Sequence, residues 1–411
     1  MSSFLFINQF YWPDEAATAQ LLTDLAEHLV REGHSVTVVC GRGRYACKEK
    51  LKAGRHVQNG VQIYRVGGTD IWRWNMAARL LDIATFLSAA RTCLRQLPRH
   101  DVVIPMSSPP LVARLAIPYC RRHRSSLVYW AQDLYPEIAE KLGAVRNKAL
   151  LLYLRAKAWS IYRASRCIVV PGRDMAKLLE SRKAARGKVC VVPNWADLDA
   201  IRATPVRHNT FRSKEGWQKD RVLIYSGNIG PAHDVETMFE LVKELQQVVP
   251  GFRFVLTGPA RRHKPLFARA KKMGIRVTLL EHQPRQSLGD FLGAADAHLV
   301  SQKPKVDGLL VPSKFYGAVA AGRPIIFIGS KTGEIGRMVL ESQLGAVVES
   351  GQASAGIWAA KRAMLAAQEE NATVAFIRDW AEHHASKSAR LRQFQKILQE
   401  ELIYTRSHSN R

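Results

Sequence analysis

The chain has 411 residues, with 47% apolar and 8% aromatic side chains, a composition that builds folded cores and excludes a disordered protein. Its formal net charge of +26 calls for an anionic partner: nucleic acid, anionic lipid or nucleotide phosphate. The length exceeds a usual single core, so two domains of about 200 residues each are expected.

At the N-terminus, Leu5, Phe6 and Ile7 form a short strand interrupted by Asn8 and Gln9. No basic region precedes it, so no secretory leader is expected. Helical spacing of Ala19, Leu22, Leu25, Ala26 and Leu29 follows, Gly33 ends it, and residues 35–40 return as a β-branched run. That strand-helix-strand unit is the elementary piece of a parallel sheet. The loop at 41–45, with Arg44, lies where open α/β sheets collect ligands, but it lacks the glycines of a dinucleotide fingerprint.

Strands are expected at 61–66, 101–105, 127–130, 167–170 and 189–192, with a long helix at 76–97. Asp133 follows a central strand, where a carboxylate either orients an acceptor hydroxyl or caps the next helix. On a helical wheel over 145–166, Leu150, Leu151, Leu154, Ala158, Ile161 and Tyr162 share one face. The other face carries Lys148, Arg155, Arg163 and Arg166 with Leu152 and Trp159. Trp72, Arg73 and Trp74 repeat this mixture. Indoles among basic side chains suit the headgroup level of an anionic membrane, and the other reading is packing beneath a solvated charged face. No apolar run reaches about 18 residues, so no membrane span is expected. The six cysteines stand singly at 40, 47, 93, 120, 167 and 190, without zinc or redox spacing, as expected of buried thiols in a reducing cytosol.

Residues 201–218 are polar and aperiodic, and read as an interdomain linker. The second domain opens with a strand at 221–225 and the loop Ser226, Gly227, Asn228, Ile229, Gly230 before a helix near Val235, a cradle for phosphate. It lacks the Gly-Lys-Ser/Thr ending of a nucleoside-triphosphate loop. Strands at 252–257, 277–280, 297–300, 325–327 and 345–348 alternate with helices. Arg261 sits in a basic run after one strand, and Asp296 and His298 read as structural. Pro312 and Ser313 suit the first turn and cap of a short helix carrying Lys314, a second anion-facing joint, which Gly322 stops. The final helix, 387–402, shows Leu391, Phe394, Ile397 and Leu398 on one side and is expected to pack back on the N-terminal domain.

Five segments carry a family resemblance in order along nearly the whole chain: NQFYWP at 8–13, WAQDLYP at 130–136, VPNWAD at 192–197, YSGNIG at 225–230 and VPSKFYG at 311–317. The chain resembles a retaining glycosyltransferase of family 4, most like the bacterial branch that adds fucose or amino sugars in O-antigen and capsular or exopolysaccharide assembly. The resemblance implies the α/β GT-B architecture, two Rossmann-like domains facing across a deep cleft. It implies an acceptor domain at 1–200, a nucleotide-sugar domain at 219–386 and a closing helix at 387–411. The donor would be a nucleoside-diphosphate sugar, UDP favoured over GDP, held by Ser226–Gly230, Arg261, Asp307, Pro312, Ser313 and Lys314. The acceptor, a polyprenyl-diphosphate-linked saccharide, would meet Tyr11, Trp12, Arg44, Asp133 and Tyr135, with Asp133 and Lys314 taking catalytic roles. No metal, cofactor or nucleic acid is expected, and the enzyme would sit peripherally on the cytoplasmic face of the plasma membrane.

The sequence departs from the family pattern at the donor site. Gly317 and Leu309 stand where the family has acidic residues, and the ribose-gripping glutamate among them is missing, with Asp307 a nearby substitute. Asn228 and His233 stand where it has a phosphate-binding arginine and lysine. A nucleotide-sugar epimerase of the same architecture, a non-catalytic assembly protein and a nucleic-acid binder are the alternative readings.

Overall fold

The computed structural model describes residues 1–42, 51–67, 76–281, 283–369 and 371–409. They form two compact units, Met1–Val192 with Ser388–Arg411, and Pro193–Lys387.

Among the described residues the first unit contains β1 (Ser3–Ile7), β2 (Ser35–Cys40), β3 (Gly54–Gln58), β4 (Val61–Arg65), β5 (Val102–Pro105), β6 (Ser126–Trp130), β7 (Cys167–Val170) and β8 (Val189–Val191). They lie in the order β3-β4-β2-β1-β5-β6-β7-β8, parallel throughout except for β3, which runs antiparallel to β4. Leu5, Ile7, Val39 and Val103 are fully buried in one layer of the core with Phe86 and Ala90 of the helix Met76–Gln96. Burial on both faces explains why these strands read as continuous apolar runs. Strand order reverses at β1, which has β2 on one side and β5 on the other, so the carboxyl ends of β1 and β5 border a natural crevice.

The helix Lys387–Ser409 supplies the remaining cover of this unit from the far end of the chain. Leu391, Phe394, Leu398 and Leu402 are buried. The Phe394 ring meets Trp130 at the end of β6 edge-on, with centroids 4.7 Å apart. Ser126 Oγ donates to Glu401 Oε2 at 2.7 Å, and Gln393 Nε2 donates to the Val191 carbonyl at 2.9 Å, so polar as well as apolar contacts fix the helix.

The second unit is a wholly parallel sheet of β9 (Arg221–Ser226), β10 (Phe252–Thr257), β11 (Val277–Leu280), β12 (Ala297–Ser301), β13 (Ile325–Ile328) and β14 (Gly345–Val348), in the order β11-β10-β9-β12-β13-β14. Its reversal falls between β9 and β12. The segment expected to be a linker is part of this unit. It folds into the helix Thr210–Glu215 and buries Trp217 and Arg212, whose guanidinium pairs with Asp296 Oδ2 at 2.9 Å. Asp296 Oδ2 also accepts the Val222 N–H at 2.6 Å, which ties the segment to the starts of β9 and β12. The buried His298 donates from Nε2 to the Leu292 carbonyl at 2.9 Å, a contact inside the core of this unit.

Candidate functional site

In the second unit the site is built where β9 and β12 part. The β9 strand ends at Ser226, and Gly227 takes a left-handed φ of +96°, which turns the loop sharply. A Cβ on Gly227 would stand 3.2 Å from Lys314 Cε, so the glycine leaves a passage for the lysine stem. Asp234 caps the following helix, Val235–Val248, by accepting from the Thr237 N–H at 3.2 Å. Ser301 Oγ, at the end of β12, accepts the Asp234 N–H at 2.8 Å and clips the two strand ends together.

Lys314 opens the helix Lys314–Ala320. Ser313, expected as its cap, is itself in the helical conformation and makes no capping bond, so the exposed hydroxyl serves no helix end. The Lys314 ammonium donates to the Asn228 carbonyl at 3.0 Å and lies 3.3 Å from His233 Nε2 and 5.2 Å from the centre of the Tyr225 ring. Asn228 and His233 are the two positions at which the resemblance expects cations, and here one ammonium from another element reaches both. Its crowded, half-buried setting lowers the Lys314 pKa to about 8. Burial, and then the Lys314 charge, lowers the His233 pKa to about 3, so the imidazole is neutral.

The other expected donor residues fall as follows. Ser226, Gly227, Asn228 and Gly230 are half-buried around the loop, while Ile229 is buried beneath it. Pro312 is buried at the approach to Lys314. Asp307 accepts from Gln302 Nε2 at 3.2 Å, and its carboxylate rests against Gly333, where an added Cβ would meet Oδ2 at 2.8 Å. Asp307 is thus engaged at the start of the helix Glu334–Glu341. The Arg261 side chain lies outside the described residues.

In the first unit the carboxyl ends of β1, β5 and β6 bring together Asn8, Ser107 and Asp133. Ser107 Oγ accepts the N–H groups of Gln132 and Asp133 at 3.1 and 3.2 Å, which shapes the turn after β6. Burial raises the Asp133 pKa to about 6. Asp133 does not cap the next helix, Glu137–Lys141, whose N-cap is Pro136 without a side-chain bond. Trp12 is 39% exposed and Tyr135 half-buried. Tyr11 is buried among the core side chains, 1% exposed. Arg44 lies outside the described residues. Two polar atoms that were not singled out from the sequence stand at the same strand ends: Asn8 Oδ1 and Gln132 Nε2 are buried and have no hydrogen-bond partner among the described residues.

On the helix Lys148–Ala164, Leu152 and Trp159 are exposed at 65% and 45%, with Lys148 and Arg163. Leu150, expected on the packed face, is exposed beside them, because the packing stripe is narrower: Leu151, Ala158, Ile161 and Tyr162. Arg155 pairs with Glu140, and Arg166 pairs with Glu401 at 3.2 Å while stacking on Tyr404, so these two expected membrane-facing cations are held by the protein itself. Trp72, Arg73 and Trp74 lie outside the described residues. No described helix is long and apolar enough to cross a membrane.

Residues 18–200 match the family model described as Glycosyltransferase Family 4. The chain is 27% identical over 255 residues to the probable glycosyltransferase WbjE of Pseudomonas aeruginosa, covering 60% of this chain and 62% of that protein. It is 27% identical over 232 residues to the putative colanic acid biosynthesis glycosyl transferase WcaI of Escherichia coli K12, covering 54% and 53%. The chain therefore spans less than two thirds of either relative's length. The crystal structure of Anabaena HepE in complex with UDP-glucose matches with a TM-score of 0.70 at 15% identity, over 97% of this chain and 100% of that one. The fold is GT-B, two Rossmann-like α/β units in one chain.

Proposed function

We propose that this chain is a retaining glycosyltransferase that moves a sugar, an N-acetylated amino sugar or a deoxysugar, from a nucleoside diphosphate to a lipid-linked saccharide in cell-surface polysaccharide assembly. The observation that carries this reading is the convergence of the Lys314 ammonium with the Gly227–Gly230 loop where strand order reverses in the second unit. Departure of a diphosphate builds negative charge on its terminal phosphate. An ammonium and backbone N–H groups already in place stabilise that charge without reorganising. In this reading Lys314 supplies the positive charge, and no metal is invoked. A UDP-sugar is the favoured donor, in keeping with the UDP-glucose in HepE, and the descriptions of WbjE and WcaI support the reaction class.

The first unit takes the acceptor at Trp12, Asp133 and Tyr135. With its pKa near 6, Asp133 is ionised at neutral pH and accepts a hydrogen bond from the acceptor hydroxyl. The departing phosphate oxygen receives the proton on the face it leaves, so the configuration at the sugar carbon is retained. The assay is mass spectrometry of a polyprenyl-diphosphate-linked monosaccharide incubated with a panel of UDP- and GDP-sugars. One donor should add a single sugar, and Lys314→Met should abolish the addition. No product from any donor, with the protein folded and supplied with acceptors of several kinds, would refute the reading.

The same reading places the protein peripherally on the anionic cytoplasmic face of the plasma membrane, through Leu150, Leu152, Tyr153 and Trp159 among Lys148 and Arg163. Basic residues near such a surface contribute about 1 kcal/mol each, and less as salt rises.

A further inference from the structure

His233 belongs to the loop after β9 yet makes its most informative contact outside it. Its Nε2 stands 3.3 Å from Lys314 Nζ, across 81 residues of sequence. Its Nδ1 lies 2.9 Å from the Gly230 nitrogen and 3.1 Å from the Gly230 carbonyl oxygen. One ring nitrogen cannot serve both Gly230 groups, and the lysine decides between them. An ammonium only donates, so Nε2 must offer its lone pair, which leaves the proton on Nδ1 to be donated to the Gly230 carbonyl. That tautomer gives up the Gly230 N–H bond to Nδ1 and gains the contact with Lys314.

We propose that His233 is the positioning residue for Lys314. Its neutral imidazole accepts one N–H of the ammonium and holds it above the loop together with the Asn228 carbonyl. The role rests on the reading of Lys314 as the diphosphate-binding cation, but the contact itself is a property of the protein without ligand. The charged and titratable groups facing this pair agree with it. Lys303, after β12, adds positive charge that opposes protonation of the ring. The Asp234 carboxylate is occupied by the N–H and hydroxyl of Thr237. Tyr225 meets the imidazole edge-on, with centroids 6.1 Å apart, and supports the ammonium from below. A protonated imidazole would set two donors face to face at 3.3 Å, so the arrangement requires the neutral ring that burial and Lys314 enforce.

The test reads Lys314 directly in the intact chain. Trace acetic anhydride labels unprotonated amines, and peptide mass spectrometry from pH 6 to 11 gives the titration midpoint of Lys314. Phenylalanine at position 233 keeps the bulk but loses the acceptor, so His233→Phe should lower the midpoint by about one pH unit and weaken UDP binding about tenfold. His233→Gln, which keeps an acceptor oxygen, should restore most of both. A midpoint that stays or rises in His233→Phe would overturn the proposal. If that variant fails to fold, two-bond proton–nitrogen spectra of the unmodified protein decide. A proton on Nδ1 with an unprotonated Nε2 supports the role, and the opposite tautomer overturns it. Saturating UDP should raise the Lys314 midpoint. If UDP leaves it unmoved while the His233 effect persists, the donor-site reading fails and the positioning role stands.

Discussion

Replacing Asp133 by asparagine should make the protein more stable and less active at once. The carboxyl group follows β6 in a half-buried position, and burial pushes its pKa up from 3.8 to about 6. The folded state therefore holds the proton more tightly than the unfolded chain does, and the ionised carboxylate costs stability. That cost is absent below the unfolded pKa, grows between about pH 4 and 6, and is complete above. At 1.36 kcal/mol for each pH unit the limit is about 3 kcal/mol, and partial contact with solvent brings it to on the order of 1–2 kcal/mol. Asparagine has nearly the same shape and no charge, so the gain should appear at pH 8 and vanish at pH 3. Because the chain has two units, hydrogen exchange at the amides of β6 is the suitable measure rather than one global melt. The transfer rate of the parent should fall below about pH 6 as Asp133 protonates, whereas Asp133→Asn should be slow without that limb. A variant less stable at pH 8, or one with the parent's pH profile, would refute this assignment and return Asp133 to a structural role.

Phe394→Ala removes a fully buried ring from the edge of Trp130 and should destabilise the first unit by about 3–5 kcal/mol, read by denaturant titration with exchange protection in β6 lost. Asp296→Asn leaves the Arg212 guanidinium buried without its counter-charge and should cost the second unit about 3–5 kcal/mol by the same measurement. Calorimetry should find UDP affinity roughly halved between pH 7 and about pH 8 and falling further above, as the Lys314 ammonium deprotonates; in Lys314→Met the affinity should be lower and independent of pH over that range. Vesicle flotation should show salt-sensitive binding to anionic lipid that is lost in a Leu152→Glu, Trp159→Ala, Arg163→Glu variant with an unchanged circular dichroism spectrum.

The parallel sheets were legible because their strands are buried on both faces, so Leu5–Ile7 or Ile325–Phe327 read as continuous apolar runs. The polar edge strand β3, Gly54–Gln58, has no such run and was not foreseen; nor were the helices Ala116–His123 and Arg173–Glu180, the first crowded with basic residues. Residues 201–218 looked like a linker because what they bury is partly charge: Arg212 enters the core only by pairing with Asp296, and that partner is 84 residues away. The error at Leu150 is one of phase, since a helix packed by a narrow stripe turns a neighbouring leucine outward. At the candidate site the glycine loop and Asp133 were visible from their positions after strands. The meeting of His233 with Lys314 was not, because it depends on β9 and β12 being neighbours in the sheet.

Hydrogen exchange of the intact chain with and without UDP addresses the donor site most directly. Protection should rise at residues 227–233 and 312–316, on the two elements that Lys314 joins, and the rise should be lost in Lys314→Met. Protection confined to the first unit, or an equal response in the variant, would contradict the assignment of the β9–β12 junction as the place where the nucleotide sugar binds.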